Sequence, residues 1–492
     1  MSLPAEIMRW SNVMKFISTS KRKKTVTKVM AVILAVLFVL STIAAILPTL
    51  VDAKIETVNG STFLRVGLFY GDSAVSSLAM TSDTGFEIGT YDAASGFVPT
   101  AVFASYPAVV ASVYEGGAGI TTPEWNPVCT LADSVPTFIR ASGGGNIGVA
   151  ENLYTGIIEI TFVAGALKVV NIADLEDYVK GVVVSEVYTS WPMEALKTQA
   201  IVARSFTLHN GTKHGSDGFD ICATQHCQAY KGIATAVPAT NAAVDETRGL
   251  VVAYNGEPAL TTYHSSSGQS TESAGGAWGS DPQKYPYLCG VDTGFDDTEN
   301  YRNGRWSYTV SASALAEYIN SKPAYEGILQ GGVENIVCEK REGSDYVYKI
   351  TVSDSKGNEI VVEKSTQVRN LLYQYCKSAC FNITTCCPVY ASDNEEYILD
   401  TANMYVITAD GPKTLSAPMG GLEVLTADGF KPVYSAGEKV FTISGVGYGH
   451  GVGLSQYGAM TLAEQGHDCN YILSLYYPGT VIADYRTLGA QE

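Results

Sequence analysis

A chain of 492 residues, 46% hydrophobic and 16% charged, is long enough for one large domain with appendages or for several domains around sizeable cores. The net charge is −17, and seven Lys/Arg against one Glu in residues 1–28 leave −23 for the remainder. So acidic a body argues against a nucleic-acid partner, which needs a basic face. The 48 glycines and 30 tyrosines suggest strands, turns and an aromatic surface suited to carbohydrate.

The first predicted element is the uncharged run "VMAVILAVLFVLSTIAAIL", Val29–Leu47, which follows the basic "KRKKTVTK". Its length just spans a bilayer, and the cations before it keep the N-terminus in the cytoplasm. Residues 1–28 read as a basic cytoplasmic tail and 29–51 as a transmembrane anchor, with the body outside the cell membrane. The rival reading is a signal peptide cleaved after Ala53, in "VDA", giving a secreted protein. Outside the membrane the ten cysteines could form disulfides, whose connectivity one sequence does not reveal.

Residues 55–150 hold short apolar runs such as "TFLRVGLFYG" and "AVVASVYE" between Gly/Ser/Thr turns, and read as a small strand-rich module of open role. From Glu151 to about residue 485 the texture is mixed, and the fold class expected is α+β. "GIIEITFVAGALKVVN" predicts a hairpin turning at Ala164–Gly165. "LEDYVKGVVVSEV" has helical spacing, and "SWPMEALKTQAIVARSFTLHNG" carries the strongest helix signal. There Pro192 suits a first turn, Glu194 the positive end of the dipole, and Gly211 a stop. "SASALAEYIN" and "STQVRNLLYQYC" read as helices, 380–400 as a Cys-rich connection, and "GVGYGHGVGLSQYGAMTLAEQG" as a glycine loop entering a helix.

Four segments carry candidate chemistry. Glu186 stands alone among Val184, Val187 and Tyr188, where desolvation would raise its pKa and let it donate a proton; the alternative is an exposed helix end. In the following helix Lys197 and Arg204, seven apart, share a face, either as two cations for a polar ligand or as a solvent edge. His214, Cys222, His226 and Cys227 are two imidazoles and two thiolates within fourteen residues, a tetrahedral Zn²⁺ set, although a Cys222–Cys227 disulfide would use the same thiols. His264 precedes three serines in a segment that reads as a polar turn. The glycine loop lacks a phosphate-loop lysine and suggests close backbone approach to something extended, presenting His450, Ser455 and Gln456.

Together "DYVKGVVVSEVYTSWPMEALKTQAIVARSF", "YHSSSGQST" and "GVGYGHGVGLSQYGA" resemble the SpoIID/LytB family of sporulation-type peptidoglycan lytic transglycosylases and amidase enhancers, over roughly residues 150–485. Gln269 stands where Gly is usual and Val187 where Met is common. The resemblance implies a catalytic domain over 151–485 with a glycan groove and Glu186 as acid/base. It implies Lys197, Arg204, His264, Ser265, Ser267, His450, Ser455 and Gln456 along the substrate, and a structural rather than catalytic Zn²⁺ with no organic cofactor. The partners it implies are peptidoglycan glycan strands, with an amidase or other envelope proteins. Two functions follow as expectations: a membrane-anchored lytic transglycosylase, or a non-catalytic glycan-binding enhancer of an amidase.

Overall fold

The computed structural model describes residues 56–488, apart from 59–60, 93–95, 104, 297–298, 302–303 and several stretches between 391 and 438. The expected anchor at 29–51 and the basic tail lie outside the described residues. Among those described, no helix is long and apolar enough to cross a membrane. The architecture is mixed α+β, as the sequence led us to expect.

The largest sheet runs in the order Glu56–Val58, Ser61–Phe69, Ala166–Asp174, Ile157–Val163, Pro136–Ala141, Phe86–Asp92, Gly96–Phe103. Here the sequence-based boundary near residue 150 needs correction. Ser61–Phe69 pairs with Ala166–Asp174, and Pro136–Ala141 pairs with Ile157–Val163, so residues 55–150 share a sheet with the following segment. The physical reason is burial. Leu64, Val66 and Ile139 come from before the boundary and Ile158 and Val169 from after it, yet they fill one core, all fully buried. A six-stranded sheet from Ser77–Thr81 to Asn152–Tyr154 closes the same core with Met80 and Ile120. The hairpin turn falls where expected, with Ala164 and Gly165 both at positive φ (52° and 81°), the conformation that a two-residue connection requires.

Helix α1, Leu175–Glu186, begins directly at the end of that hairpin, where the Asp174 carboxylate accepts the Glu176 N–H at 2.9 Å. It buries Tyr178, Val179, Val182 and Val183 against the sheets. Helix α2, Met193–His209, starts after Pro192 with Glu194 in its first turn and ends before Gly211. One side of α2, Leu196, Ala200 and Ala203, joins this core. Its other side, Ile201 and Val202, packs into a second cluster with Val252, Leu454 and Tyr476. Helix α3, Pro238–Glu246, and the five-residue α4, Ala274–Trp278, follow.

The described residues between 305 and 446 include a body with its own core, drawn from 310–381, Phe441 and Ile443. Strands Arg305–Ser311, Val440–Val446 and Phe381–Tyr390 make one sheet, and Val333–Lys340, Val347–Asp354 and Glu359–Glu363 another. The helices α5, Ala312–Asn320, and α6, Ser365–Leu371, contribute Leu315, Ile319, Val368 and Leu371 to its interior. Part of the segment read as a Cys-rich connection is thus the strand Phe381–Tyr390. The chain returns through the glycine loop into α7, Gln456–Glu464, and then α8, Cys469–Tyr476.

Candidate active site and metal-ligand cluster

Glu186 is the last residue of α1, half-buried rather than fully exposed. Its Oε1 accepts the Ala229 N–H at 2.9 Å, Gln456 Nε2 donates to its main-chain carbonyl at 3.3 Å, and the Tyr263 and Gln456 side chains lie close enough to favour the ionised carboxylate. Burial raises its pKa above the ordinary glutamate value, and these three donors only partly offset that rise. A helix C-terminus, with its negative end of the dipole, does nothing to favour the ionised form. Tyr263 is itself held by Gln228, whose Nε2 donates to its hydroxyl at 3.3 Å.

Two cavities meet at this carboxyl group. One, of about 530 Å³, is lined by Lys213, Gln225, His226, Tyr263, Trp278, Arg369, Tyr373 and His450, among others. The second, of about 520 Å³, is lined by Tyr188, Trp191 and Tyr457. Glu186, Ser265, Tyr448 and Gln456 border both, so the site is a continuous cleft with the acid at its middle. Among the described residues lining either arm, Glu186 is the one carboxylate.

Several residues expected along the substrate are placed elsewhere. Arg204 is fully buried, and its guanidinium makes a two-point pair with Glu176: Nε to Oε1 at 3.0 Å and Nη2 to Oε2 at 2.6 Å. It also donates to the Leu250 carbonyl at 2.8 Å. It therefore clamps α2 to α1 and to the strand Leu250–Tyr254, because a guanidinium inside a core needs a full set of acceptors. Lys197 pairs with Glu194 at 3.1 Å and Glu246 at 2.7 Å and lines neither arm. Ser267 and Ser455 are fully buried. The Ser455 hydroxyl donates to Asp296 Oδ2 at 2.7 Å and caps α7 by accepting the Gly458 N–H at 3.1 Å. The Ser267 hydroxyl meets His264 Nε2 at 2.8 Å, and its N–H donates to the same Asp296 oxygen at 3.0 Å. These are braces of the cleft floor.

His264, His450, Ser265 and Gln456 do reach the cleft. Burial depresses both histidines, His450 to about 4, so both are neutral at physiological pH. The glycine loop packs closely on protein, since a Cβ on Gly449, at φ +123°, would lie 2.7 Å from the His264 Cβ, while Tyr448, Gly449 and His450 also border the cleft.

His214, Cys222, His226 and Cys227 do converge. One ligand atom from each lies within 4.8 Å of all the others. His226 Nδ1 is 3.2 Å from His214 Nε2, 3.7 Å from Cys222 Sγ and 3.8 Å from Cys227 Sγ. Zinc bonds of about 2.0–2.3 Å place neighbouring donors of a tetrahedron roughly 3.3–3.8 Å apart, so donor types and spacing both fit Zn²⁺. His214 Nδ1 meets Asp217 Oδ2 at 2.8 Å, the outer carboxylate that orients a ligating imidazole. The two cysteines are not bridged to each other, and the hydrogen bond with Cys227, helped by Thr224 and His226, holds Cys222 below the usual thiol range.

The residues that sequence reasoning missed fall into two groups. Tyr188 and Trp191 sit beside Glu186 in "SEVYTSWP", where aromatics next to a lone acid were a usable signal. Arg369 and Tyr373 arrive from the 305–446 body, 183 and 187 positions from Glu186, and no local pattern marks them.

The site is thus an α+β cleft built around one half-buried carboxyl group and walled in part by His226 and Cys227 of the His/Cys cluster. Residues 163–254 match the family model SpoIID, stage II sporulation protein. An amidase enhancer of Bacillus subtilis (strain 168) is 32% identical over 320 residues, 62% of this chain and 40% of the relative. Stage II sporulation protein D of the same strain is 26% identical over 350 residues, covering 68% of this chain and 82% of the relative. Its counterpart from Bacillus amyloliquefaciens is 27% identical over 325 residues, 63% of this chain and 74% of the relative. Over these stretches the chain is similar to the SpoIID/LytB family, and its matched region spans 40% of the length of the amidase enhancer.

Proposed function

We propose that the chain is a cell-envelope lytic transglycosylase acting on the glycan strands of peptidoglycan, with Glu186 as its acid and base. The observation that carries this reading is the cleft with a single carboxylate at its middle. Ordinary glycosidases flank the scissile bond with two carboxyl groups, one to protonate the leaving oxygen and one to attack or to activate water. A transglycosylase needs one. Protonated Glu186 gives its proton to the glycosidic oxygen as the bond to C1 breaks. The resulting carboxylate takes the proton from the C6 hydroxyl of the same muramic unit as that oxygen bonds to C1. A 1,6-anhydro ring closes, and Glu186 ends protonated. Both reacting groups belong to one sugar, so no water needs positioning. The raised pKa of Glu186 supports the first step by keeping the proton on the acid closer to neutral pH.

The His214/Cys222/His226/Cys227 cluster is proposed to hold one structural Zn²⁺. The ion would supply a fixed cross-link for the loop that forms one wall of the cleft. The body is proposed to face outward from the cell membrane, tethered by residues 29–51. A sporulation role is supported by the names of two relatives.

A second reading has its own support in the relative at 32% identity, which is named an amidase enhancer. In that reading the cleft binds glycan and stimulates an amidase without cutting. Incubation of the protein with purified sacculi separates the two. Anhydro-muropeptides released with no amidase present establish the enzyme; amidase products that rise only when an amidase is added establish the enhancer.

A further inference from the structure

The two arms of the cleft differ in kind. The arm toward α6 holds two cations, Lys213 and Arg369, in a protein whose net charge is −17. No ion pair engages either among the described residues, although acids neutralise many other cations of the chain. Arg369 is already oriented: its Nε donates to the Lys377 carbonyl at 2.8 Å, and its guanidinium lies 5.4 Å from the Tyr373 ring centre. That leaves the rest of its planar fork for a ligand. Lys213 is steadied by donating to the His226 carbonyl at 2.8 Å. Burial keeps the nearby imidazoles, His264 and His450, neutral, so among the described lining residues Lys213 and Arg369 supply the positive charge of this arm. Among the described residues lining the opposite arm, Glu186 is the one charged group. Tyr188, 56% exposed, lies 5.9 Å from Trp191, which lies 5.1 Å from Tyr457.

We infer that the cleft sorts its ligand by charge: the Arg369/Lys213 arm seats a sugar unit bearing a carboxylate, while Tyr188, Trp191 and Tyr457 stack on uncharged pyranose faces. This rests on the glycan reading above. A forked guanidinium matches a carboxylate at two points, which a hydroxyl-rich neutral sugar does not. Aromatic rings take up the apolar faces of sugars whatever their charge. In peptidoglycan the carboxylate has two sources, the free lactyl group of a muramic unit or an attached stem peptide.

The test measures binding rather than cleavage, in full-length Glu186→Gln protein, so that ligands survive. Three ligands are compared: an uncharged N-acetylglucosamine oligomer, peptide-free glycan strands with free lactyl groups, and strands carrying stem peptides. Arg369→Ala is expected to weaken at least one carboxylate-bearing ligand about tenfold or more, the scale of one charge-assisted hydrogen bond. The neutral oligomer should change less than about twofold, and Arg369→Lys should recover part of the loss. Loss confined to peptide-free strands assigns the lactyl group; loss confined to peptide-bearing strands assigns the peptide; either supports the inference. Trp191→Ala should weaken all three ligands alike. Equal loss on all three ligands from Arg369→Ala, or no loss on any, overturns the inference while leaving glycan binding in place. If the Glu186→Gln parent binds none of the three, the glycan reading fails and this inference falls with it.

Discussion

Glu186 Oε1 and the Ala229 backbone N–H are 2.9 Å apart, and Ala229 is two residues beyond Cys227 of the His/Cys cluster. The carboxyl group of the cleft is thus held by the loop that the four donor residues tie together. Removing the proposed Zn²⁺ with a strong chelator, or replacing Cys227 by Ser, is expected to lower the melting temperature and the proposed glycan cleavage. Elemental analysis of protein purified without chelator should find about one Zn²⁺ per chain. Protein without metal and with a mapped Cys222–Cys227 bridge would show that the thiols serve a disulfide.

Glu186→Gln is expected to abolish glycan cleavage while sacculus pull-down persists. Gln keeps the size and can still accept from Ala229, but it cannot release and regain a proton. Loss of general acid catalysis alone removes roughly 10²–10⁴-fold, and here both proton transfers would suffer. Near wild-type release of anhydro-muropeptides by this variant would place the acid elsewhere.

The pH dependence follows from the direction of the shift. Burial raises the Glu186 pKa in the folded state, so the native protein binds the proton more tightly than the unfolded chain. Stability is then lost as pH rises from the unfolded value through the folded one. Glu186→Gln should accordingly melt at or above the wild-type temperature at neutral pH, with the difference vanishing below the pKa of an unfolded glutamate. The rate of the wild type should fall on the alkaline side of the folded pKa, where the acid no longer carries its proton. Thermal melts and kcat/KM across pH 4–8 check both limbs.

Arg204→Ala is expected to destabilise by about 3–5 kcal/mol, because it leaves the Glu176 carboxylate buried without its partner. The double variant Arg204→Met with Glu176→Leu should recover most of that loss. If sacculus binding recovers in the double variant along with the melting temperature, Arg204 acts through the fold. A double variant that is stable yet fails to bind would restore it to the ligand.

Much of the helical framework was legible because it rests on local rules. Pro192, Glu194 and Gly211 mark α2, and Ala164–Gly165 mark the hairpin, through capping and turn preferences that neighbouring residues satisfy alone. The His/Cys cluster was legible for its donor types. Three things were not. A shared face on α2 does not say whether that face meets solvent, ligand or another helix, so Arg204 read as a groove residue and proved to be a clamp. The boundary at residue 150 was drawn on texture, whereas the strands across it pair over about a hundred residues, which no local signal records. Arg369 reaches the cleft from a body folded around a separate core.

The long-range pairing bears on when the site comes into being. Asp174 is both the last residue of the strand Ala166–Asp174 and the N-cap of α1, whose final residue is Glu186. No linker lets that helix settle by itself. Its direction is fixed by a strand whose neighbour, Ser61–Phe69, lies a hundred residues earlier in the chain. Such non-local closure is slow to form and comes late in folding. The helix carrying the acid is therefore aimed only once the sheet has closed, and a partly folded chain holds no assembled cleft.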